Sequence, residues 1–350
     1  MTWLLHRTRR LTHFVLWALI FAAVTLLLAL RFWLLPSIDR LRHHLENSLS
    51  ETLMQPVQIQ HFKAHLDGIT PQLHLIGVAI GPDGDDQLKL QEIQADLNLA
   101  ASLRQRQLRL KRIRVFGAEL KIYRTDDGQF FISGLKRGQG GSIPPWLLSD
   151  GRFELAHSTL EWYPSSNRKP YVLRHAHIQL DNQGEEHRLQ VRFAAPEALA
   201  EQVSIVVHLR GKPDAPAQWQ ADFRVYLEKG QINGLTTLFP SWDTSRLGTL
   251  PSGQGTVHIK GSWRAGRLEG KVSLDLNRLK FYPPWHPRSL RLDVVRGQIQ
   301  GVWDDRGFMI ESRSLYLSNP DFELQARLNF SRSGLDSPHL DAQVNLTRLD

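Results

Sequence analysis

From Pro56 to Asp350 apolar and polar residues alternate one for one in short runs, with Gly, Pro, Asn or Asp between the runs. Val203 to Leu209 (VSIVVHL), Trp219 to Leu227 (WQADFRVYL), Thr256 to Trp263, Val272 to Leu276 and Phe322 to Phe330 show it most clearly. A period of two bounded by turn residues marks half-buried strands. Asp126-Asp127-Gly128, Ala265-Gly266 and Asp304-Asp305-Arg306-Gly307 each stand between two runs, where hairpin turns belong. The expected class is mostly β.

In three places the alternation skips one position and resumes: Leu73, Leu75, Val78 and Ile80; Leu88, Leu90, Ile93 and Ala95; and Leu108, Leu110, Ile113 and Val115, with an echo at Leu290, Leu292 and Val295. A bulge that absorbs the extra residue keeps one face apolar and also bends the strand. Repeated bends predict a long curled antiparallel sheet forming an open hydrophobic groove, with Arg109, Lys111 and Arg114 on the polar outer side. The groove-lining set is these residues, Leu73 to Val115, together with Leu97 and Leu99, which continue the alternation after Ala95. A second layer or a closed barrel would bury the same face, and alternation alone does not choose.

Helical spacing appears near the N-terminus. In residues 36–54, Ile38, Leu41, Leu45, Leu49 and Leu53 recur every three or four positions after Pro36, which predicts one amphipathic helix. It could lie on a membrane surface, cap the end of a sheet, or pack as a connector. Residues 11–35 are nearly all apolar, and 25 residues at 1.5 Å each give roughly 37 Å, enough to span a ~30 Å hydrocarbon core. Arg7, Arg9 and Arg10 precede this stretch within residues 1–10, so the basic flank is expected in the cytoplasm and the bulk of the chain across the membrane. A cleaved signal peptide needs a shorter apolar region and a small-residue cleavage site, and LLALRFWLLP offers none.

The body divides at the Gly/Pro-rich run GLKRGQGGSIPP. Residues 55–135 carry the first groove strands, residues 136–149 form a loop or flap, and residues 150–350 continue the groove. A short helix near 228–240, ended by Pro240, is expected within the second part.

Composition narrows the chemistry. With no cysteine among 350 residues, disulfides, thiol nucleophiles and Cys-ligated zinc are excluded. His61 and His65 lie in a strand-like run too far apart to share a metal, His175 and His177 have no third ligand nearby in sequence, and Asp83, Asp85 and Asp86 lack calcium-loop spacing. No nucleophile elbow or phosphate loop is present, so the expectation is no catalytic residue, no metal and no cofactor. The net charge of +8 includes an uninterrupted cluster, Arg104, Arg106, Arg109, Lys111, Arg112 and Arg114. It lacks interleaved aromatics, which argues for a solvated face or anionic head groups rather than nucleic acid. Two PPW stretches, at Pro144 to Trp146 and Pro283 to Trp285, suit loop anchors or groove rims.

The N-terminal segment, then DGITPQLHLIGVAI, then LKLQEIQADLNLAASLRQRQLRLKRIRVFGAELKIYRTDDGQFFISGL, resembles the N-terminal region of the YhdP/AsmA-like envelope proteins; SGQGTVHIKGSW is similar to that family's central β region. The resemblance implies a single-pass bacterial inner-membrane protein with its bulk in the periplasm. It also implies a repeating β-groove that moves phospholipid between inner and outer membranes, with outer-membrane or periplasmic proteins as further partners. Family members are much longer, and this chain ends inside an alternating run, DAQVNLTRLD; it is expected to be a piece of a longer groove or a short homologue. Some sixteen strands at about 4.8 Å would give a trough of roughly 75 Å. A periplasmic scaffold for outer-membrane protein assembly, and an enzyme with a site scattered over loops, are the alternatives.

Overall fold

A computed structural model describes residues 21, 25, 38–68, 70–106, 109–125, 130–135, 145–148, 150–164, 170–197, 199–212, 218–232, 252–281, 289–333 and 339–349. The segment read as a membrane anchor lies outside these except for Phe21 and Thr25. Among the described residues no helix is long and apolar enough to cross a membrane.

Helix α1 (Ile38–Leu53) leads into β1 (Val57–Asp67), β2 (Thr70–Ile80) and β3 (Leu88–Leu97). After a short helix α2 (Leu99–Gln105) come β4 (Leu110–Arg124) and the stub β5 (Phe130–Ile132). The remainder is strand after strand: β6 (Gly151–Tyr163), β7 (Tyr171–Gln183), β8 (Glu186–Ala194), β9 (Gln202–Arg210), β10 (Gln220–Gln231) and β11 (Ser252–Arg264), then β12 (Arg267–Phe281), β13 (Leu290–Asp304), β14 (Gly307–Ser318), β15 (Phe322–Ser333) and β16 (His339–Leu349). All sixteen belong to one sheet in chain order, with β5 hydrogen-bonded to β4 off the main path. Local hairpins explain the order: each run satisfies its backbone N–H and C=O groups by pairing with the run before it.

One pair departs from the hairpin rule. β5 folds back onto the end of β4, so the chain returns to the opposite end and β6 runs parallel to β4, from Arg112↔Arg152 to Tyr123↔Tyr163. Ser158 supports this junction: its hydroxyl accepts the Ala118 N–H at 3.1 Å and donates to the Ala156 carbonyl at 3.0 Å. The return is fixed where Asn182 Nδ2 donates to the Leu147 carbonyl (2.8 Å) and the Gly184 N–H donates to Asp150 Oδ1 (2.8 Å).

The first edge of the sheet is sealed by α1. Arg42 Nη1 donates to the Ile59 carbonyl (3.0 Å), Glu46 Oε1 accepts the Ile59 N–H (2.8 Å), and Ser50 Oγ accepts the Val57 N–H (2.9 Å). Leu45, Leu49 and Leu53 meanwhile pack against the core. Side chains of a helix thus take the place of a missing neighbour strand, and of the expected placements α1 occupies the cap.

The skips in the alternation take two forms. In LRLKRIRV the register with β3 moves from Asp96↔Arg112 to Leu97↔Leu110, so Lys111 is the extra residue of a bulge, as expected. In β2 and β3 there is no bulge: Val78↔Leu90, Ile76↔Glu92 and Leu75↔Ile93 stay one to one through the skip, and so do Ile59↔Val78 and Phe62↔Leu75 between β1 and β2. Neighbouring strands skip at the same level, so the face is recovered by a shared kink. Gly77 and Gly117 take φ of +65° and +59° there.

Three expectations are revised or fall outside the described residues. Leu99 lies on α2 instead of in the groove and is exposed; Asn98 accepts the Ala101 N–H at 3.1 Å as an N-cap and turns the chain into a helix before the alternation can continue. Near 228–240, Glu228 to Gln231 still belong to β10, Ile232 is helical as expected, and residues 233–251 lie outside the described residues. Leu108 and the Asp126-Asp127-Gly128 turn lie outside them too.

Candidate functional site

Strand register turns alternation into rows that run along the sheet. One row passes from Phe62 through Leu75, Ile93, Val115, Leu155 and Ile178. It continues through Val191, Ile205, Val225, Ile259 and Val272 to Ile299, taking one residue from each of β1 to β4 and β6 to β13 without a polar interruption. At about 4.8 Å per strand the row is on the order of 50 Å long.

Burial changes along it. Phe62, Leu75, Val115 and Leu155 are buried, whereas Ile93 and every member from Ile178 to Ile299 are only partly buried. The first strands close on themselves, because Leu45, Leu49 and Leu53 of α1 and Leu135 beyond β5 fill their apolar face. From β7 onward no helix covers this face among the described residues: Ile178 packs against the first core and Ile205, Val225, Ile259 and Val272 against a second one, which leaves the wall only partly covered. Of the residues the sequence singled out, Leu75, Val78, Ile80, Leu88, Leu90 and Val115 form the closed wall, while Leu73, Ile93, Leu97, Leu110 and Ile113 are half-buried on the same face. Sequence reasoning continued the groove over residues 150–350 but named no lining residue there, although alternation in VSIVVHL and WQADFRVYL already marks Ile205 and Val225.

A second core gathers at one end of the later strands, where Val203, Leu227, Val257, Leu276, Leu292, Val295 and Leu315 are buried. The other end stays open: Trp303 is 59% and Leu268 40% exposed at the hairpin tips. In cross-section the sheet is packed along one rim and splayed along the other.

The opposite face is polar and laced with ion pairs. Arg112 reaches Asp96 at 2.6 Å, Arg264 reaches Asp222 at 2.9 Å and Arg296 reaches Asp275 at 2.9 Å, each across neighbouring strands. Arg112 and Arg114 thus share Asp96, which offsets part of the basic cluster, while Arg104 and Arg106 are exposed at and beyond the end of α2. A cleft of about 760 Å³ on this face is lined by Arg112, Arg152, Asp181, Arg188, His208 and Asp222, alongside other residues. Burial tends to raise the Asp181 carboxyl, but hydrogen bonds from Gln179 and Arg152 and the charges of Arg152 and Arg188 outweigh it and hold it below its ordinary value. Tyr163, stacked on Tyr123 with ring centroids 4.4 Å apart, is pushed up to about 12 by burial and then by its hydrogen bond to Glu161. These groups form a lattice of ion pairs and hydrogen bonds across the outer face.

His65 and His74 stack with ring centroids 4.5 Å apart, and His74 Nδ1 lies 3.0 Å from Glu92 Oε1. No group of three or more His, Asp or Glu among the described residues is placed to hold a metal. The chemistry the architecture offers is a long apolar wall, closed at its first strands and open along one rim beyond them.

Searches of curated proteins and of solved structures find no match. The sequence model of the YhdP protein family matches residues 1–349, and the chain belongs to that family.

Proposed function

We propose that this protein is a lipid carrier: anchored in the inner membrane by residues 11–35 with its N-terminus in the cytoplasm, it holds phospholipid acyl chains on the apolar face of its sheet and helps pass them between membranes without chemical turnover. The observation that carries the reading is the unbroken apolar row from Phe62 to Ile299, only partly buried from β7 onward. A long apolar wall left partly open to water gains from a cover, and contiguous apolar surfaces of this kind mark binding sites. Each buried methylene is worth about 0.8 kcal/mol, so a hydrocarbon chain laid on the wall is strongly favoured over one in water. Family membership and the curled open sheet support the same reading.

Photo-crosslinking tests it. With reactive residues at Ile205, Val225 and Val272, phospholipid adducts are expected, and none from the outward Arg224 on the same strand as Val225. Equal labelling from both faces, or purified protein free of phospholipid, would refute the reading.

A further inference from the structure

Three inward positions lack a side chain altogether, and they are in register. Gly261, Gly270 and Gly301 are partners across β11, β12 and β13, in a row that begins at Phe223 on β10 and continues to Ile310 on β14. Glycine in a strand interior gives up packing and costs chain entropy, so a row of three needs a cause. The backbone is not that cause, since none of the three takes a positive φ. Crowding explains Gly261, where the Phe223 ring lies against the glycine, and in part Gly301. A Cβ on Gly270 would meet nothing closer than the Lys260 carbonyl at 3.6 Å; one on Gly301 would meet the Met309 carbonyl at 3.3 Å and Ile310 Cγ1 at 3.6 Å. The space in front of Gly270 accepts a side chain that the sequence does not supply.

That space is a slot with two walls. Ile259, Val272 and Ile299 form the wall on the packed side; Trp263, Leu268 and Trp303 form the wall towards the open rim. The two walls stand four residues apart along each strand, about 13 Å between backbones. Side chains from both sides narrow this to roughly one hydrocarbon chain at carbon contact distances of about 3.5–4.0 Å. The slot runs across the strands and therefore along the groove. Apart from the indole N–H groups its wall side chains are apolar, and the backbone groups of its floor are paired within the sheet, so a peptide lying there would strand its amides. A hydrocarbon has none to strand.

Resting on the carrier reading above, we propose that the glycine row seats one straight acyl chain of a phospholipid, laid along the groove with Phe223 as its end stop. Trp263 and Trp303 stand between this chain and the charged hairpin tips that carry Arg264, Arg267 and Arg306, the position an indole ring favours between hydrocarbon and a polar head group.

The test uses the full chain, purified with its bound lipid, and a photo-reactive residue at Leu268 or, for comparison, at the distant Ile205. The wild-type background is expected to give phospholipid adducts at both. Gly270→Leu fills the slot and is expected to lower the adduct at 268 by about tenfold or more, leave the adduct at 205 unchanged, and leave the melting temperature unchanged or raised. Trp303→Ala removes an exposed side chain and serves as the second variant if Gly270→Leu does not fold; it is expected to lower the same adduct. Wild-type adduct levels at 268 in the variant that folds, or adducts at 205 with none at 268, would overturn the slot while leaving the carrier reading intact. No adduct at either position and no co-purifying phospholipid would overturn both.

Discussion

At Gly77 and Gly117 two constraints coincide. Both take a positive φ, and a Cβ would overlap the side chain of Gln60 over Gly77 and of Gln91 over Gly117. Gly77→Ala and Gly117→Ala are each expected to cost about 1–2 kcal/mol from the backbone alone, with the displaced glutamine adding to it, read as a lower urea midpoint. The opposite sign is expected at Arg278, which takes φ +55° in β12 with a full side chain. Arg278→Gly relieves that conformation and should raise stability by up to about 1 kcal/mol, less the entropy glycine adds to the unfolded chain. Asp181 gives a pH signature. Its carboxyl is held below the unfolded value, so its contribution is present above the ordinary carboxylate range and is lost as pH falls through the folded value. Urea midpoints of wild type and Asp181→Asn should therefore differ at neutral pH and converge in acid.

Helix α1 shows how an element's role exceeds its periodicity. Spacing placed it over residues 36–54 but left membrane surface, cap and connector open; three hydrogen bonds to the backbone of β1 decide for the cap. Glu46→Ala leaves the Ile59 N–H without an acceptor at a partly buried edge and should cost about 1–3 kcal/mol, seen as faster hydrogen exchange at Ile59 and its neighbours in β1. Strands were legible wherever alternation was local: the run Thr256 to Trp263 lies within β11, and Ala265-Gly266 joins it to β12 as expected. What local pattern could not carry was pairing at a distance. Whether a skip is a bulge or a shared kink depends on the neighbour's register, so Leu110 to Ile113 and Leu75 to Val78 look alike in sequence and differ in the sheet. The parallel pairing of β4 with β6 was hidden for the same reason. Leu99 misled because Asn98, polar and in phase with alternation, is also a good helix cap.

Across the whole molecule each strand pairs only with its neighbours, so the sheet is close to one-dimensional and its stability is a sum of adjacent terms. Two cores interrupt this uniformity. One surrounds Val57 to Ala176 with α1 over it, the other surrounds Ala200 to Ala326, and Phe193 on β8 packs against both. Cooperation between the closed and open parts of the groove then depends on the β7 to β9 junction, where that ring bridges them. Phe193→Ala is expected to uncouple the halves. Urea unfolding followed by hydrogen exchange should show amides of β1 to β4 and of β11 to β14 opening at midpoints that lie further apart than in wild type. A bridge that carried no coupling would leave the separation of the two midpoints unchanged. Because the closed half is sealed by α1 and the later half keeps an open rim, the later half should be the one that opens first, and bound phospholipid should raise its midpoint alone. Lipid that raised both midpoints equally would mean that the closed wall also takes it up, and that the packing of Leu45, Leu49 and Leu53 yields to it.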